Sequence, residues 1–524
     1  MTRSTLVFAA ALVAAWPFAA LAQQAGDEPP PPQSSPQPAP ILGESTRTAP
    51  TSGISGSLGG SGATGPDSVG TLPQRDTDFD LKTWRDTPFE LVLQLLDLIP
   101  GRIDSAAEHE LTRNLLVSVA DVPPGDDGDS RMLLSRVRKL TEIGNAADAA
   151  ALARAAPGLT QDEPLAHAEV DAELLAGQTE AACIDIRAFA PVISAEWAQI
   201  GLLLCRAAAG EKVEDDLASA DVSQIGPLAR ITSAPLAVDP ATAGPAQLVA
   251  GARDPRVPLD QRLEAAFAAG RVSALSGEVL AAILTAAPSK ADLATDPGPP
   301  KDGATAAALF HAVAHEADLG QKLDLVDRGL LSPDGVVDKV GVAMAGSLRD
   351  LQSAPDQSAA AGRTAQVLYS LGDIDAATPW SDLAEQAGAG AALWPYRVLL
   401  KQADPVGIAD WQQQSRLDAQ HLARIQTILS AFGVTTAPPG TDPVAGDDRP
   451  EPLIGDLIAM DRAANQGHVG ETVLRALAIL GQGGPALAHP LALKRALADL
   501  DLVHLHDEAH ALAFEAITAT LLGH

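Results

Sequence analysis

The stretch "EIGNAADAAALARAAPG", residues 142–158, and its counterpart "LAGQTEAACIDIRAFAP", residues 175–191, decide how the chain is read. Each holds a glycine, Gly144 or Gly177, with an alanine five positions later, Ala149 or Ala182, and then a proline, Pro157 or Pro191. A third glycine, Gly210, completes spacings of 33 and 33 residues. "YSLGDIDAATPW", residues 369–380, repeats the offset with Gly372 and Ala377. Glycine tolerates the left-handed residue that ends a helix and turns the chain. A small residue one turn into the next helix then lets the two rods approach closely. The pattern predicts helical hairpins.

Working outward, other segments carry helix-start chemistry. "DTPFELVLQLLDLIPG", residues 86–101, offers Thr87 as cap, Pro88 at the first helical position and Glu90 reaching back; that combination is a capping box. Ser105 with Glu108 repeats the device, and "SRMLLSRVRKLTEIG" runs from Ser130 to the terminating Gly144. The glycine-and-alanine pattern resembles the tetratricopeptide repeat over about 130–220 and again over 356–390. That repeat has a period near 34 residues and stacks helical hairpins into a superhelix. The family's aromatic positions are mostly alanine here, so the resemblance is to a degenerate form. It implies an α-solenoid.

Hairpin geometry also reads the two cysteines, Cys183 and Cys205. A turn near 191–194 places Cys183 about 12 Å and Cys205 about 15 Å along neighbouring antiparallel helices, at about 1.5 Å per residue. Similar heights predict a disulfide in an oxidising compartment, with two buried free thiols as the alternative. The spacing excludes a CxxC redox pair, and two cysteines cannot build a zinc site unaided.

The compartment is read from the start of the chain. "MTRSTLVFAAALVAAWPFAALAQQ" has one early arginine, an apolar run over 6–15 and a small-x-small Ala20-Leu21-Ala22 site. This predicts a cleaved signal peptide over 1–22 and a periplasmic or secreted product; an uncleaved anchor is the competing reading. Residues 23–80, with "EPPPPQSSPQPAP" and "TSGISGSLGGSGATG", read as a disordered Pro/Gly/Ser-rich spacer, too poor in apolar side chains to offset the entropy of ordering. The helical solenoid is expected over 81–440, with a bend in the proline-broken 225–260. Residues 441–524 are expected to cap the array, after an acidic loop at 435–452. The chain is 46% hydrophobic yet 3% aromatic, which suits close-packed helices of alanine and leucine over strands. A net charge of −31 argues against nucleic acid and anionic membrane surfaces as partners.

Candidate chemistry is sparse. "HLHDEAHALAFEA", residues 504–516, brings His504, His506 and His510 together with Asp507 and Glu508. His506 and His510 share a helix face, as two zinc ligands do in H-E-x-x-H enzymes, but aspartate stands where that motif has glutamate. The simpler reading is a helix start with acids in its first turn. His311 and His315 in "FHAVAHEADLG" form a second such pair without a third ligand. No nucleophile elbow or phosphate loop occurs. Trp197 is read as core, whereas Trp380, Trp394 and Tyr396 are candidate partner-contact residues. No catalytic residue or cofactor is assigned, and metal ligation is left to the three C-terminal histidines as a minor alternative. The expectation is an all-α, non-enzymatic exported scaffold offering a groove to a protein partner, such as a component of the cell envelope. The alternatives are a metal-dependent hydrolase using the C-terminal histidines, or a module that binds cell-wall material or a small ligand.

Overall fold

The computed structural model describes residues 65–72, 77–158, 161–213, 226–232, 238–288, 298–415, 417–434 and 449–522. The leader, most of the spacer and the loop at 435–448 lie outside them. Among the described residues every regular element is a helix, and β-pairing is limited to two isolated bridges, Leu72 with Ser118 and Leu331 with Val337. Among them, no helix is long and apolar enough to cross a membrane.

Aspartate starts many of these helices. Asp162, Asp302, Asp318, Asp338, Asp373 and Asp418 each accept a backbone N–H from the first turn that they cap. A carboxylate there satisfies an orphan amide and meets the positive end of the helix dipole. Part of the chain's acidity is therefore structural. Three starts differ from the sequence reading. The helix Phe89–Leu98 begins after Pro88, and the Thr87 hydroxyl is buried without a partner. Ser105 caps Ala106–Val117 by accepting from Glu108 N at 3.1 Å, but the Glu108 carboxylate turns into the core without reaching back. Ser130 lies in the left-handed region, φ 64°, and makes no cap. The amides of Met132 and Leu133 are instead received by Asp67, at 3.3 and 2.6 Å, from far away in sequence.

Asp67 belongs to the segment 65–72, expected to be spacer, so the ordered chain begins before residue 81. Arg136 fixes that segment. Its fully buried guanidinium donates to the carbonyls of Leu116 (2.7 Å), Asp67 (3.2 Å), Val69 (2.8 Å) and Ser118 (2.8 Å).

From Arg131–Glu142 through Ala146–Arg154, Glu163–Leu175, Thr179–Phe189 and Glu196–Ala208, each helix packs on the next, and the first also touches the third. Gly144, Gly177 and Gly210 take φ of 100°, 78° and 85°, the left-handed turn that the spacing predicted. A Cβ on Gly144 would also lie 2.5 Å from Ala274 Cβ. Ala149 and Ala182 are fully buried. Cys183 and Cys205 are disulfide-bonded, with Cα atoms 5.6 Å apart, on neighbouring helices. A second group, from Pro245–Arg253 to Lys339–Ala345, follows with its own alanine-rich core.

The C-terminal part is no terminal cap. The helix His506–Leu522 packs against Ala106–Val117, Ser358–Ser370, Trp394–Leu399, Ala419–Ala431 and Pro490–Leu502. Val469–Leu480 lies on Phe89–Leu98, where Gly470 lets Trp84 approach; a Cβ there would fall 2.4 Å from the indole. The two ends of the described chain thus meet, as a linear array would not allow.

Two stability outcomes follow. Cys183→Ala with Cys205→Ala, or reduction, should remove about 3 kcal/mol by restoring freedom to the unfolded chain, seen as a lower urea midpoint; an unchanged midpoint would refute the staple. Arg136→Met leaves four carbonyls without their donor and should cost about 3–5 kcal/mol, read by the same titration.

Candidate functional site: the cleft beside the C-terminal helix

The helix Pro490–Leu502 ends at Val503, and His504 turns the chain with φ 70°. Buried Leu505 then anchors the start of His506–Leu522. Asp507 and Glu508 occupy the first turn, as the simpler reading of the motif expects. This turn, with Val398–Lys401 and Phe432–Val434, encloses a cleft of about 690 Å³. Its floor is apolar, from Ile374, Val398, Leu399, Phe432 and Val434, and its polar wall is Lys401, Asp501, His506, Asp507 and His510.

The polar wall is held by local pairing. His506 Nδ1 lies 2.6 Å from Asp501 Oδ1. His510 sits between Phe432 and Phe514, with ring centroids 5.2 and 5.8 Å away, and burial lowers its pKa below the usual histidine value. His506 and His510 thus share the cleft wall, as their spacing predicts. His504 meets His506 edge-on at 5.7 Å and does not line the cleft. The three imidazoles do not converge on a point. Among the described residues, the groups whose ligand atoms lie within 4.8 Å of one another are Asp67–Asp126–Asp129 and Glu169–Glu173–Asp185, neither holding a histidine. Asp67 is already engaged as a helix cap, and Arg154 pairs with the second group, at 3.4 Å from Glu169 and in tight contact with Glu173. Among the described residues, no serine, threonine or cysteine lines the cleft. His311 and His315 stack at 6.3 Å, with His311 Nε2 2.9 Å from Ala287 O, and form no such group.

The aromatic candidates for partner contact are interior. Trp380, Trp394 and Tyr396 are 1%, 7% and 0% exposed. Trp394 stacks on Trp411 at 5.5 Å and donates Nε1–H to Asp404 O at 3.1 Å. The Tyr396 hydroxyl meets that of Thr518 at 2.8 Å, and its ring stacks on Tyr369 at 5.1 Å. Small alanines leave wide gaps that only large rings fill. Trp197 is half-buried against the cluster around the disulfide, stacked on His167 at 4.5 Å and donating to Glu163 at 2.6 Å.

Buried carboxyls are what the sequence reading missed. Glu515 is 1% exposed, and its Oε2 accepts from Ala107 N at 3.1 Å. Desolvation pushes its pKa up to about 8, against the backbone bond from Ala107 and a hydrogen bond with Ser105, with Asp338 raising it and Lys339 lowering it. Desolvation, then the charge of Glu515, pushes neighbouring Glu108 well above its ordinary value. The signal was present: Glu515 is a lone acid inside "ALAFEAITATLL". No family model matches the chain, and none of the curated proteins or solved structures compared with it matches either.

The Glu515 proton generates a pH prediction. The unfolded chain releases it near 4.5, while the fold keeps it to about 8. Between those values the native state binds more protons, so stability falls as pH rises through that window. Glu515→Gln should flatten this decline in urea midpoints measured from pH 4.5 to 8; an identical slope in both proteins would refute it.

Proposed function

We propose that the chain is a non-enzymatic scaffold, exported by the leader 1–22 to a periplasmic or secreted location, that docks a segment of a protein partner within an envelope assembly. The observation that carries the reading is the cleft: an apolar floor for a side chain of the partner, with a polar rim to orient it. Val406, 81% exposed, stands next to Pro405 in the cleft wall and extends the apolar surface outward. The hairpin run over 131–208 supports the finer view of a tetratricopeptide-like stack on which this surface is mounted. A chain of net charge −31 favours a partner whose docking segment is basic around its apolar anchor.

The test is a photo-cross-linking residue at the exposed position 401, used in the native compartment. A discrete adduct with one protein is expected. Ala403→Trp, which fills the mouth of the cleft, should abolish it while circular dichroism and the thermal midpoint stay unchanged. An adduct indifferent to Ala403→Trp, or none at all, would remove the reading.

A further inference from the structure

Three carboxyls converge between the helices Ala146–Arg154, Glu163–Leu175 and Thr179–Phe189, away from the cleft. Glu169 and Glu173 are four residues apart and share one face of the middle helix. Asp185 meets them from the helix that follows. One oxygen of each lies within 4.8 Å of the other two. Ligand oxygens held about 2.3–2.6 Å from one ion are at most about 5 Å apart. The trio therefore already has the span of a coordination shell.

The pairing inside this cluster is incomplete. Glu169 is 1% exposed, and both of its oxygens are buried and accept no hydrogen bond among the described residues. Glu173 is 0% exposed, and its Oε2 is in the same condition. A buried carboxylate without full pairing carries a large desolvation cost. Among the described residues, Arg154 is the cation that pairs with them. It is in tight contact with Glu173 Oε1, lies 3.4 Å from Glu169 Oε1 without donating to it, and comes to 3.9 Å from Asp185. One positive charge thus faces three carboxyls. From the elements packed on Glu163–Leu175, Asp185 raises the pKa values of both glutamates beyond what desolvation does, and Arg154 opposes it. The other acidic trio differs on this point: the buried Asp67 already receives the amides of Met132 and Leu133.

We propose that Glu169, Glu173 and Asp185 bind a divalent cation that prefers oxygen ligands, of the calcium or manganese class, and that Arg154 is its displaceable stand-in. The cluster is open where an ion would enter. The side chains of Arg154 and Asp185 are 49% and 27% exposed, while the two glutamates are closed in. The guanidinium swings into water, the cation takes its place, and water completes the shell on that side. A donor set of carboxylates alone, without nitrogen or sulfur, selects calcium, manganese or magnesium over zinc and copper. The bound ion would tie Glu163–Leu175 to Thr179–Phe189, beside the hairpin that the disulfide closes.

Calorimetric titration of the full chain at neutral pH with Ca²⁺, Mn²⁺ and Mg²⁺ tests it. Ca²⁺ or Mn²⁺ should fill one site per chain more tightly than the diffuse binding expected of an acidic surface. Glu169→Gln and Asp185→Asn should each weaken that site at least about tenfold, because a charged ligand is lost. Should the buried Glu169 variant not fold, Asp185→Asn, at the more exposed position, carries the test alone. Arg154→Gln should tighten the site, because the competing cation is gone; an acidic cluster with a purely structural role would show no such gain. Asp126→Asn, in the other trio, should leave it unchanged. No one-equivalent binding, a site that Asp185→Asn leaves intact, a site lost in Asp126→Asn, or one that Arg154→Gln fails to tighten overturns the proposal.

Discussion

A helix packed on every side has no face on which to leave a charge. Beyond its exposed first turn, His506–Leu522 is in that position over residues 512–518, with Leu512, Ala513, Phe514, Ala516 and Ile517 all buried. Much of the molecule is arranged around it. It draws Ala106–Val117 from one end of the described chain and Ala419–Ala431 from the other half, so the fold closes on itself. The same enclosure explains Glu515. A carboxylate cannot be ionised there without large desolvation cost, so it is kept as an acid that also receives the Ala107 amide. Tyr396 meets Thr518 on this helix for the same reason: each buried hydroxyl needs a partner, and they serve one another.

The charge balance has a structural counterpart. With 36 basic residues against 67 acidic ones, cations are scarce, yet several are inside. Arg136 holds four carbonyls, and Arg424 holds those of Pro485, Ala486 and Ala488 at 2.7, 2.8 and 3.2 Å. Lys139 donates to Ile99 O at 2.8 Å. These carbonyls sit in turns, short helices and helix C-terminal ends, where no intrahelical donor reaches them, and a guanidinium offers several donors in one plane. The acids do the converse task at helix starts. The distribution follows helix polarity: carboxylates at free amides, buried cations at free carbonyls.

How much of this was legible in the sequence depends on range. Gly144, Gly177 and Gly210 act through φ of their own residue, so a local pattern finds them. The pairing of Cys183 with Cys205 needs only one hairpin, and the acidic first turn at Asp507 needs only its own helix. Ser130 fails because its role is taken by Asp67, a partner 65 and 66 residues from the amides it receives. Trp380, Trp394 and Tyr396 fail because exposure depends on what alanine leaves open in three dimensions, which composition hints at but does not locate. The interior place of 506–522 was concealed by its polar opening, His506 to His510, although the mostly apolar remainder, broken by Glu515, Thr518 and Thr520, carried the signal. Of the cleft, the wall residues His506 and His510 were visible by spacing; the floor is assembled from segments far apart in sequence.

The position of the disulfide follows from how the apolar clusters divide. The largest cluster joins residues from Phe79 to Ile517 and is cross-braced by helices remote in sequence. The cluster around Ile186, Phe189, Ile200 and Leu204 is separate and much smaller, drawn from 166–231 alone. The helix before its bridged hairpin, Glu163–Leu175, carries Glu169 and Glu173, whose pKa values desolvation pushes up to about 7 and about 8 despite Arg154 beside them. Burying such groups offsets part of what a small apolar cluster contributes. A covalent link helps most where packing is least able to hold the chain alone. Cys183 and Cys205 both lie in this cluster, and the hairpin that needs bracing is the one that is bridged.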